Sequence, residues 1–422
     1  MYRVSLFVLL LPLVTAFNIF SVWNTVINGI TSFFGYDSHV DARLNISELA
    51  AKYGYPFEEH RVNTEDGYIL NLHRIKHGRS DAVQRRSVVF LMHGILDSSD
   101  GWVLQGPDSA LAYILADSGF DVWMGNARGN KHSLKHASLK PDDQRFWDFT
   151  WEEIGLYDLP ASIDYILNAT AETDLYYVGY SQGTTCYYVM TSMKPEYNNK
   201  IKMMFSLAPV AWLEHAKSPL VQIFSPANEI LGYALASLNA HVPSADSLNK
   251  LSMLVCVLSP VRCDNFLSNT LGYSSNVDEE LIPVILGHAP TGCSTLQFVH
   301  YGQLAASGRF GRYDHGRERN LKVYGQETAP DYACANIKSP VVLFHSGEDW
   351  FSDKIDVERL KDCLPNVRET VYIEDLSHID FVYAKISRHA VYDKIVSIID
   401  NFEFENGLKI TSKSMRYNFF TK

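Results

Sequence analysis

A serine at position 181 lies in the centre of a Gly-x-Ser-x-Gly pattern, residues 179–183. An apolar run of strand character, residues 175–180, precedes it, and a helix-like pattern follows it. A strand that reverses directly into a helix brings two stretches of backbone together, so that glycine is needed on both sides of the central residue. The sequence therefore predicts a nucleophilic hydroxyl on Ser181, at the carboxyl end of a strand.

A nucleophilic serine needs a histidine that removes its proton and a carboxylate that orients the histidine. Two predicted strands near the C-terminus, residues 339–344 and 369–373, are followed by Asp349 and by His378. The chain order serine, acid, histidine is the order that this kind of turn requires. We expect His378 to act as general base and acid, and Asp349 to balance its charge.

Other titratable residues compete for these two roles. Glu348 and Asp353 are alternative acids, because both lie close to Asp349 in the sequence. His345 is an alternative base, but it precedes the acid in the chain and so breaks the expected order.

Backbone amides are the expected partners for negative charge that develops during attack by the serine. The amide of Gln182 opens a helix, and helix N-termini favour negative charge. A second donor, the amide of Ile95, follows the predicted strand that ends in His93 and Gly94. For His93 itself we expect a structural role, through bonds to nearby loop backbone.

The elements around these residues alternate between strand and helix. A predicted hairpin at residues 53–75 is followed by strands at residues 87–95, 120–124, 175–180 and 203–209, with helices at 108–118 and 163–167 between them. Parallel strands joined by helices make an α/β fold with a mostly parallel sheet. We expect an α/β-hydrolase fold, because the turn at Ser181 is the one that this fold uses.

The alternation stops between residues 211 and 336, where apolar, helix-compatible pieces are separated by prolines. We interpret this segment as a mainly helical cap inserted into a core formed by residues 17–210 and 337–404. A final helix is expected near residues 390–404, followed by a tail at residues 405–422. An apolar cap above a serine suggests a long apolar binding cavity and contact with a lipid surface.

The N-terminus predicts entry into the secretory pathway. An apolar run at residues 4–14 is followed by small residues, which is typical of a signal peptide covering residues 1–16. No later segment has the roughly 18 apolar residues of a membrane helix, so we expect a protein without a transmembrane anchor. The sequons at Asn45 and Asn168 then predict glycans.

Six cysteines are all in the predicted mature chain. Cys256 and Cys263 are close enough in sequence to close a small loop, and Cys186 is expected to be a buried free thiol. Spacing alone does not pair the remaining three, which are Cys293, Cys334 and Cys363.

The composition limits the classes of partner. A formal charge of −11 argues against nucleic acid, which calls for a basic surface. Protonation of all 15 histidines would bring this charge to +4, which hints at tolerance of acid. The histidines and cysteines lack the spacing of a metal site, and the predicted chemistry needs no cofactor.

Short motifs in a fixed order make the chain from about residue 44 to residue 402 resemble the acid lipases, the family of gastric and lysosomal acid lipases. The motifs lie at residues 53–56, 64–70, 93–94, 125–130, 157–160, 181–185, 207–210, 347–349 and 378–381. The resemblance implies an α/β-hydrolase that acts on triacylglycerols and cholesteryl esters. It aligns Ser181, Asp349 and His378 with the family's catalytic triad. It also aligns the backbone amides of Ile95 and Gln182 with the family's oxyanion donors.

The same resemblance implies a glycan at Asn45 and makes Cys256 and Cys263 the expected disulfide pair. Two departures from the family pattern stand out. Tyr180 occupies a position where many relatives have histidine, and the spacing between the two cysteines differs.

Three functions are compatible with these observations. The first is a secreted or lysosomal lipase that hydrolyses neutral-lipid esters at a lipid–water interface. The second is a carboxylesterase or thioesterase that acts on soluble esters. The third is a lipid-binding protein without activity, which is disfavoured because nucleophile, base and acid are all retained.

Overall fold

The computed structural model describes residues 40–80, 87–218, 221, 241–242, 274 and 276–407. Its strands are β1 Glu58–Asn63, β2 Tyr68–Ile75, β3 Val88–Met92, β4 Asp121–Met124, β5 Lys135–His136, β6 Leu175–Tyr180, β7 Ile201–Leu207, β8 His241–Val242, β9 Cys293–Ser294, β10 Val341–Ser346 and β11 Val367–Ile373. The main sheet has the order β1-β2-β4-β3-β6-β7-β10-β11, with β5 paired to β2.

Six consecutive strands of this sheet, from β4 to β11, are parallel to one another. Strands β1 and β2 form the predicted antiparallel hairpin, which adds to the sheet beside β4. The carboxyl ends of the parallel strands therefore meet at one edge, as the alternating sequence pattern predicts.

The α-helices are α1 Ile46–Lys52, α2 Leu111–Asp117, α3 Leu159–Thr170, α4 Gln182–Met193, α5 Ile282–His288, α6 Thr295–Ser307, α7 Arg317–Tyr324, α8 Lys354–Cys363, α9 Asp380–Tyr383 and α10 Asp393–Glu405. A short α-helical turn, Trp151–Glu153, and a π-helical turn, Ile154–Asp158, lead into α3, and a second π-helical turn, Arg388–Tyr392, leads into α10. The 3₁₀ helices are Val40–Ala42, Ser99–Trp102, Gln144–Trp147, Pro195–Lys200, Glu279–Leu281 and Cys334–Asn336.

Both faces of the sheet are covered, because side chains of a buried parallel strand alternate between two hydrophobic layers. In β3, Phe90 packs into one layer, while Val89 and Leu91 pack into the other. The aromatic-rich stretch at residues 145–160 contributes Phe146 and Trp151 to the first layer. This arrangement confirms the predicted α/β fold.

Strands β7 and β10 are neighbours in the sheet although residues 208–340 lie between them. The described part of this insert carries α5, α6 and α7 and the small β8–β9 pair. The helix-compatible pieces of the insert include residues 220–224, 230–238 and 251–258. Of these three, only Val221 is among the described residues. In the described part of the chain, no helix has the length and apolar character needed to cross a bilayer.

A disulfide joins Cys334, just before β10, to Cys363 at the end of α8. Spacing in the sequence does not predict this pair. Cys186 and Cys293 are buried free thiols, which confirms the expectation for Cys186. The expected pair Cys256 and Cys263 lies outside the described residues.

Candidate active site

Ser181 lies in the sharp turn between β6 and α4, with φ 51° and ψ −117°. A positive φ is costly for a residue with a side chain, so the surroundings must hold it in place. A Cβ on Gly183 would lie 2.3 Å from the carbonyl oxygen of Met92, and one on Gly179 would lie 2.8 Å from the backbone of Gly183. Close backbone approach thus explains both glycines of the pattern.

The structure brings Ser181, His378 and Asp349 together. His378 Nε2 lies 2.8 Å from Ser181 Oγ, and His378 Nδ1 lies 2.8 Å and 2.9 Å from the two carboxylate oxygens of Asp349. All three side chains are buried and follow the carboxyl ends of β6, β10 and β11. The geometry allows the imidazole to accept the serine proton at one nitrogen while the carboxylate accepts a hydrogen bond from the other.

The surroundings of Asp349 stabilise its charged form. Its Oδ1 accepts hydrogen bonds from the backbone N–H groups of Phe351, at 2.8 Å, and Ser352, at 2.9 Å. Burial opposes ionisation, but His378 and these two amides outweigh it, and the pKa of Asp349 is lowered. Asp349 is therefore a carboxylate at neutral pH and is fixed in orientation from two sides.

The competing residues do not reach the serine–histidine pair. Glu348 is exposed. Asp353 caps the N-terminus of α8 through Ile355 N–H and pairs with Lys217. The His345 ring packs against Tyr372 instead, at a centroid distance of 5.2 Å.

Two aromatic residues that the sequence did not single out for this purpose hold the His378 ring. The Tyr180 ring lies 5.2 Å from the imidazole, and its hydroxyl donates to the His378 carbonyl at 3.0 Å. The Phe351 ring lies 4.8 Å from the imidazole. Burial raises the pKa of Tyr180 well above its usual value, so its hydroxyl remains a donor. In the sequence, only their proximity to the triad indicates this role, since Tyr180 precedes Ser181 and Phe351 lies two residues after Asp349.

The predicted oxyanion donors both lie beside the serine. Gln182 is the first residue of α4, and a Cβ on Gly94, the residue before Ile95, would lie 3.2 Å from Ser181 Cβ. Among the described residues, neither the Ile95 amide nor the Gln182 amide donates to a protein oxygen. Two free amide donors beside a buried hydroxyl form an arrangement that can stabilise an oxyanion.

His93 bonds to loop backbone, as expected. Its Nδ1–H donates to the Gly94 carbonyl at 2.7 Å, and its Nε2 accepts the Ala127 N–H at 3.1 Å. These bonds fix the neutral tautomer and connect the loop after β3 to the loop after β4. Burial lowers the pKa of His93 to about 4.

This low pKa predicts a pH-dependent stability. Between pH 6.5 and about 4 the unfolded chain protonates His93 and the folded chain does not, so the free energy of unfolding falls as the pH drops. The His93→Gln variant lacks this titration. We expect its free energy of unfolding to fall by up to about 3 kcal/mol less than that of the parent across the same pH interval. Urea unfolding between pH 4 and 7 measures the free energy of unfolding of each variant. The exposed His389→Gln variant is the control, and equal slopes in both variants would contradict the prediction.

One cluster outside the triad has the residue types of a metal site. Ligand atoms of His73, Asp100 and His132 lie within 4.8 Å of one another. Both oxygens of Asp100 already have partners, since His132 lies 2.7 Å from one and Lys131 Nζ lies 2.6 Å from the other. His288 contacts the second oxygen at 2.7 Å as well. Because the ammonium group of Lys131 opposes a second cation, we interpret the cluster as an ion-pair network.

A parallel sheet with a strained serine turn, and with a histidine and a carboxylate following neighbouring strands, defines the class of α/β-hydrolases. The family model of the α/β hydrolase fold matches residues 87–256, and the model of a partial α/β-hydrolase lipase region matches residues 46–106. The chain belongs to the acid lipase family within this class, as its similarity to gastric and lysosomal acid lipases shows.

Relatives match over most of their length. Lipase 3 of Drosophila melanogaster is 42% identical over 83% of this chain and 91% of its own. Gastric triacylglycerol lipase of Rattus norvegicus is 35% identical, over 90% of this chain and 99% of its own. Lysosomal acid lipase/cholesteryl ester hydrolase of Macaca fascicularis is 36% identical, over 86% of this chain and 92% of its own. These similarities confirm the resemblance inferred from the motifs.

Solved structures share the fold at much lower identity. A protein described as a lipase from Acinetobacter baumannii AYE is 14% identical and superimposes with a TM-score of 0.51, over 85% of this chain and 95% of its own. An epoxide hydrolase from Vigna radiata is 16% identical and has a TM-score of 0.50, over 85% of this chain and 100% of its own. Because these two proteins differ in activity, the likeness supports the fold alone.

Proposed function

We propose that this protein is a serine lipase that hydrolyses the ester bonds of neutral lipids, triacylglycerols or cholesteryl esters, through an acyl-enzyme on Ser181. The observation that carries the proposal is the contact between His378 Nε2 and Ser181 Oγ, at 2.8 Å, with Asp349 on the other ring nitrogen. Nucleophile, base and acid in hydrogen-bond contact are what acyl transfer through serine requires.

In the acylation step Ser181 Oγ attacks the ester carbonyl carbon while its proton moves to His378 Nε2. The carbonyl oxygen becomes negatively charged and is stabilised by the amides of Ile95 and Gln182. The bond to the alcohol then breaks, and the histidine returns the proton to the leaving oxygen. The lowered pKa of Asp349 keeps a carboxylate beside the imidazolium that forms in between.

In the second half of the reaction water replaces the alcohol. The water oxygen attacks the acyl carbon while His378 removes a proton from the water. The proton then passes to Ser181 Oγ as the carboxylic acid is released. The three side chains and two amides carry out both halves. Neither half of the reaction calls for a metal or a cofactor.

The substrate class rests on the relatives and on the insert. Gastric triacylglycerol lipase and lysosomal acid lipase/cholesteryl ester hydrolase are named for neutral-lipid esters. An apolar insert between β7 and β10 is suited to cover a long acyl chain. We therefore propose that residues 211–336 form a cap over the core, residues 17–210 and 337–404.

The assay that tests this function compares emulsified and soluble substrates. We expect hydrolysis of emulsified triolein or cholesteryl oleate, measured by fatty-acid release from pH 4 to 8, and a sharp rise in rate as substrate passes from monomer to emulsion. Hydrolysis of soluble butyrate esters without activity on either emulsion would instead assign the protein as a carboxylesterase. Absence of both activities in folded protein would contradict the proposal.

The compartment and the modifications belong to the same proposal. We propose that residues 1–16 are a signal peptide and that the protein is secreted or lysosomal, as the names of its gastric and lysosomal relatives support. Asn45, which caps α1, and Asn168, on α3, are both exposed and suited to carry glycans. The pair Cys256 and Cys263 is proposed as a second disulfide.

A further inference from the structure

The turn that carries the Ile95 amide is strained. It consists of residues 94–97, and its third residue, Leu96, has a φ of 63°. Leucine adopts this left-handed conformation at a cost that glycine avoids, so neighbouring contacts must hold it. Within the turn, the Asp97 N–H donates to the Gly94 carbonyl at 3.3 Å, which is a long hydrogen bond. The turn therefore depends on contacts from outside.

The main outside contact comes from the insert. Thr291, between α5 and α6, donates its N–H to the Leu96 carbonyl at 2.7 Å. Its Oγ1 donates to the Asp97 carbonyl, also at 2.7 Å. Thr291 is buried, with 4% of its surface exposed, so both bonds are shielded from water. One residue of the insert thus fixes two consecutive carbonyl groups of the strained turn.

A second contact links the turn to the histidine segment. The Tyr383 hydroxyl donates to Asp97 Oδ2 at 2.8 Å, and the Asp97 Oδ1 accepts the Ser98 N–H. Tyr383 is the last residue of α9, which begins two residues after His378. The turn is therefore held on one side by the insert and on the other by the segment that carries His378.

The insert also contacts the His378 segment directly. Asn276 Nδ2 donates to the Asp375 carbonyl at 2.8 Å and to Asp380 Oδ2 at 3.1 Å. Asp380 in turn accepts the Ser377 N–H at 2.7 Å. Both segments that flank Ser181 are thus braced by residues from the same insert.

We propose that Thr291 is a positioning residue that holds the Ile95 amide in place to stabilise the oxyanion. This inference rests on the proposed function, because it concerns the same reaction. The Thr291 hydroxyl donates to the Asp97 carbonyl, so its effect on the Ile95 amide passes through the turn. Loss of the hydroxyl loosens the Leu96–Asp97 backbone and misplaces the Ile95 amide. The stabilisation of the transition state then falls more than the affinity for substrate.

The test uses the full-length protein and a soluble p-nitrophenyl ester, with rates divided by the concentration of active sites titrated with an organophosphonate. We expect Thr291→Val to lower kcat about 10-fold with KM changed less than about twofold, since removal of a whole oxyanion donor costs roughly 10²- to 10³-fold. An alkyl trifluoromethyl ketone, which forms an anionic hemiketal with the serine, should bind about 10-fold more weakly. Thr291→Ser retains the hydroxyl and should behave almost as the parent.

Thr191→Val is the matched control, because Thr191 is buried and its hydroxyl also donates to a backbone carbonyl, that of Tyr187, at 2.8 Å. It should leave kcat and the ketone affinity unchanged. Unaltered kcat and ketone affinity in folded Thr291→Val would overturn the inference and leave the proposed function intact. Equal losses in Thr291→Val and Thr291→Ser would also overturn it. An inactive parent protein would refute the function itself.

Discussion

The Ser181→Ala variant should hydrolyse emulsified triolein at least about 10⁴-fold more slowly than the parent, while folding normally. The substitution removes the oxygen that lies 2.8 Å from His378 Nε2, so that no acyl-enzyme can form. The residual rate would come from water and the remaining oxyanion donors. Initial rates of fatty-acid release, with circular dichroism as the check on folding, measure the effect.

Ser192→Ala provides the control for this loss. Ser192 is buried near the end of α4, and its hydroxyl donates to the Val189 carbonyl at 3.0 Å. This variant removes a buried serine hydroxyl from the same helix without touching the triad, and its rate should stay within about twofold of the parent. Parental activity in Ser181→Ala would rule out Ser181 as the nucleophile.

The second large effect is expected for Asp349→Asn, with a fall in kcat of about 10⁴-fold. The asparagine oxygen can still accept the N–H groups of Phe351 and Ser352, so the amide nitrogen must face His378. Facing that donor, the imidazole carries its proton on Nε2, which then cannot accept the proton of Ser181. Steady-state kinetics with a soluble ester separates this loss in kcat from any change in KM.

Glu348→Gln makes the same chemical change at the neighbouring position. Because Glu348 is exposed, its rate should match that of the parent. A large loss of kcat in Glu348→Gln together with a small one in Asp349→Asn would show that Glu348, and not Asp349, is the acid that pairs with His378.

Much of the fold could be predicted because local patterns encode it. Alternating strands and helices define a parallel sheet, and residues that follow its strands must meet at one edge. For this reason the sequence predicts that Ser181, Asp349 and His378 meet at one site, and the structure places His378 in contact with both of the others. The steric need for Gly179 and Gly183 was also visible in the sequence.

What the sequence did not reveal depends on contacts between distant segments. The disulfide between Cys334 and Cys363 requires α8 to pack beside the segment before β10, which spacing does not encode. Thr291 has no motif around it that points to the turn at residues 94–97, almost two hundred residues earlier. Tyr180 was visible only as a departure from a family pattern, and its bond to the His378 carbonyl depends on the fold.

The assignment of Ser181 as the nucleophile is tested most directly by covalent labelling with an organophosphonate ester. Mass spectrometry of the digested protein maps the labelled residue. We expect stoichiometric phosphonylation of the peptide that contains Ser181, with no labelling in Ser181→Ala and strongly slowed labelling in His378→Ala. Labelling of a different residue, or equal labelling of the parent and Ser181→Ala, would contradict this assignment.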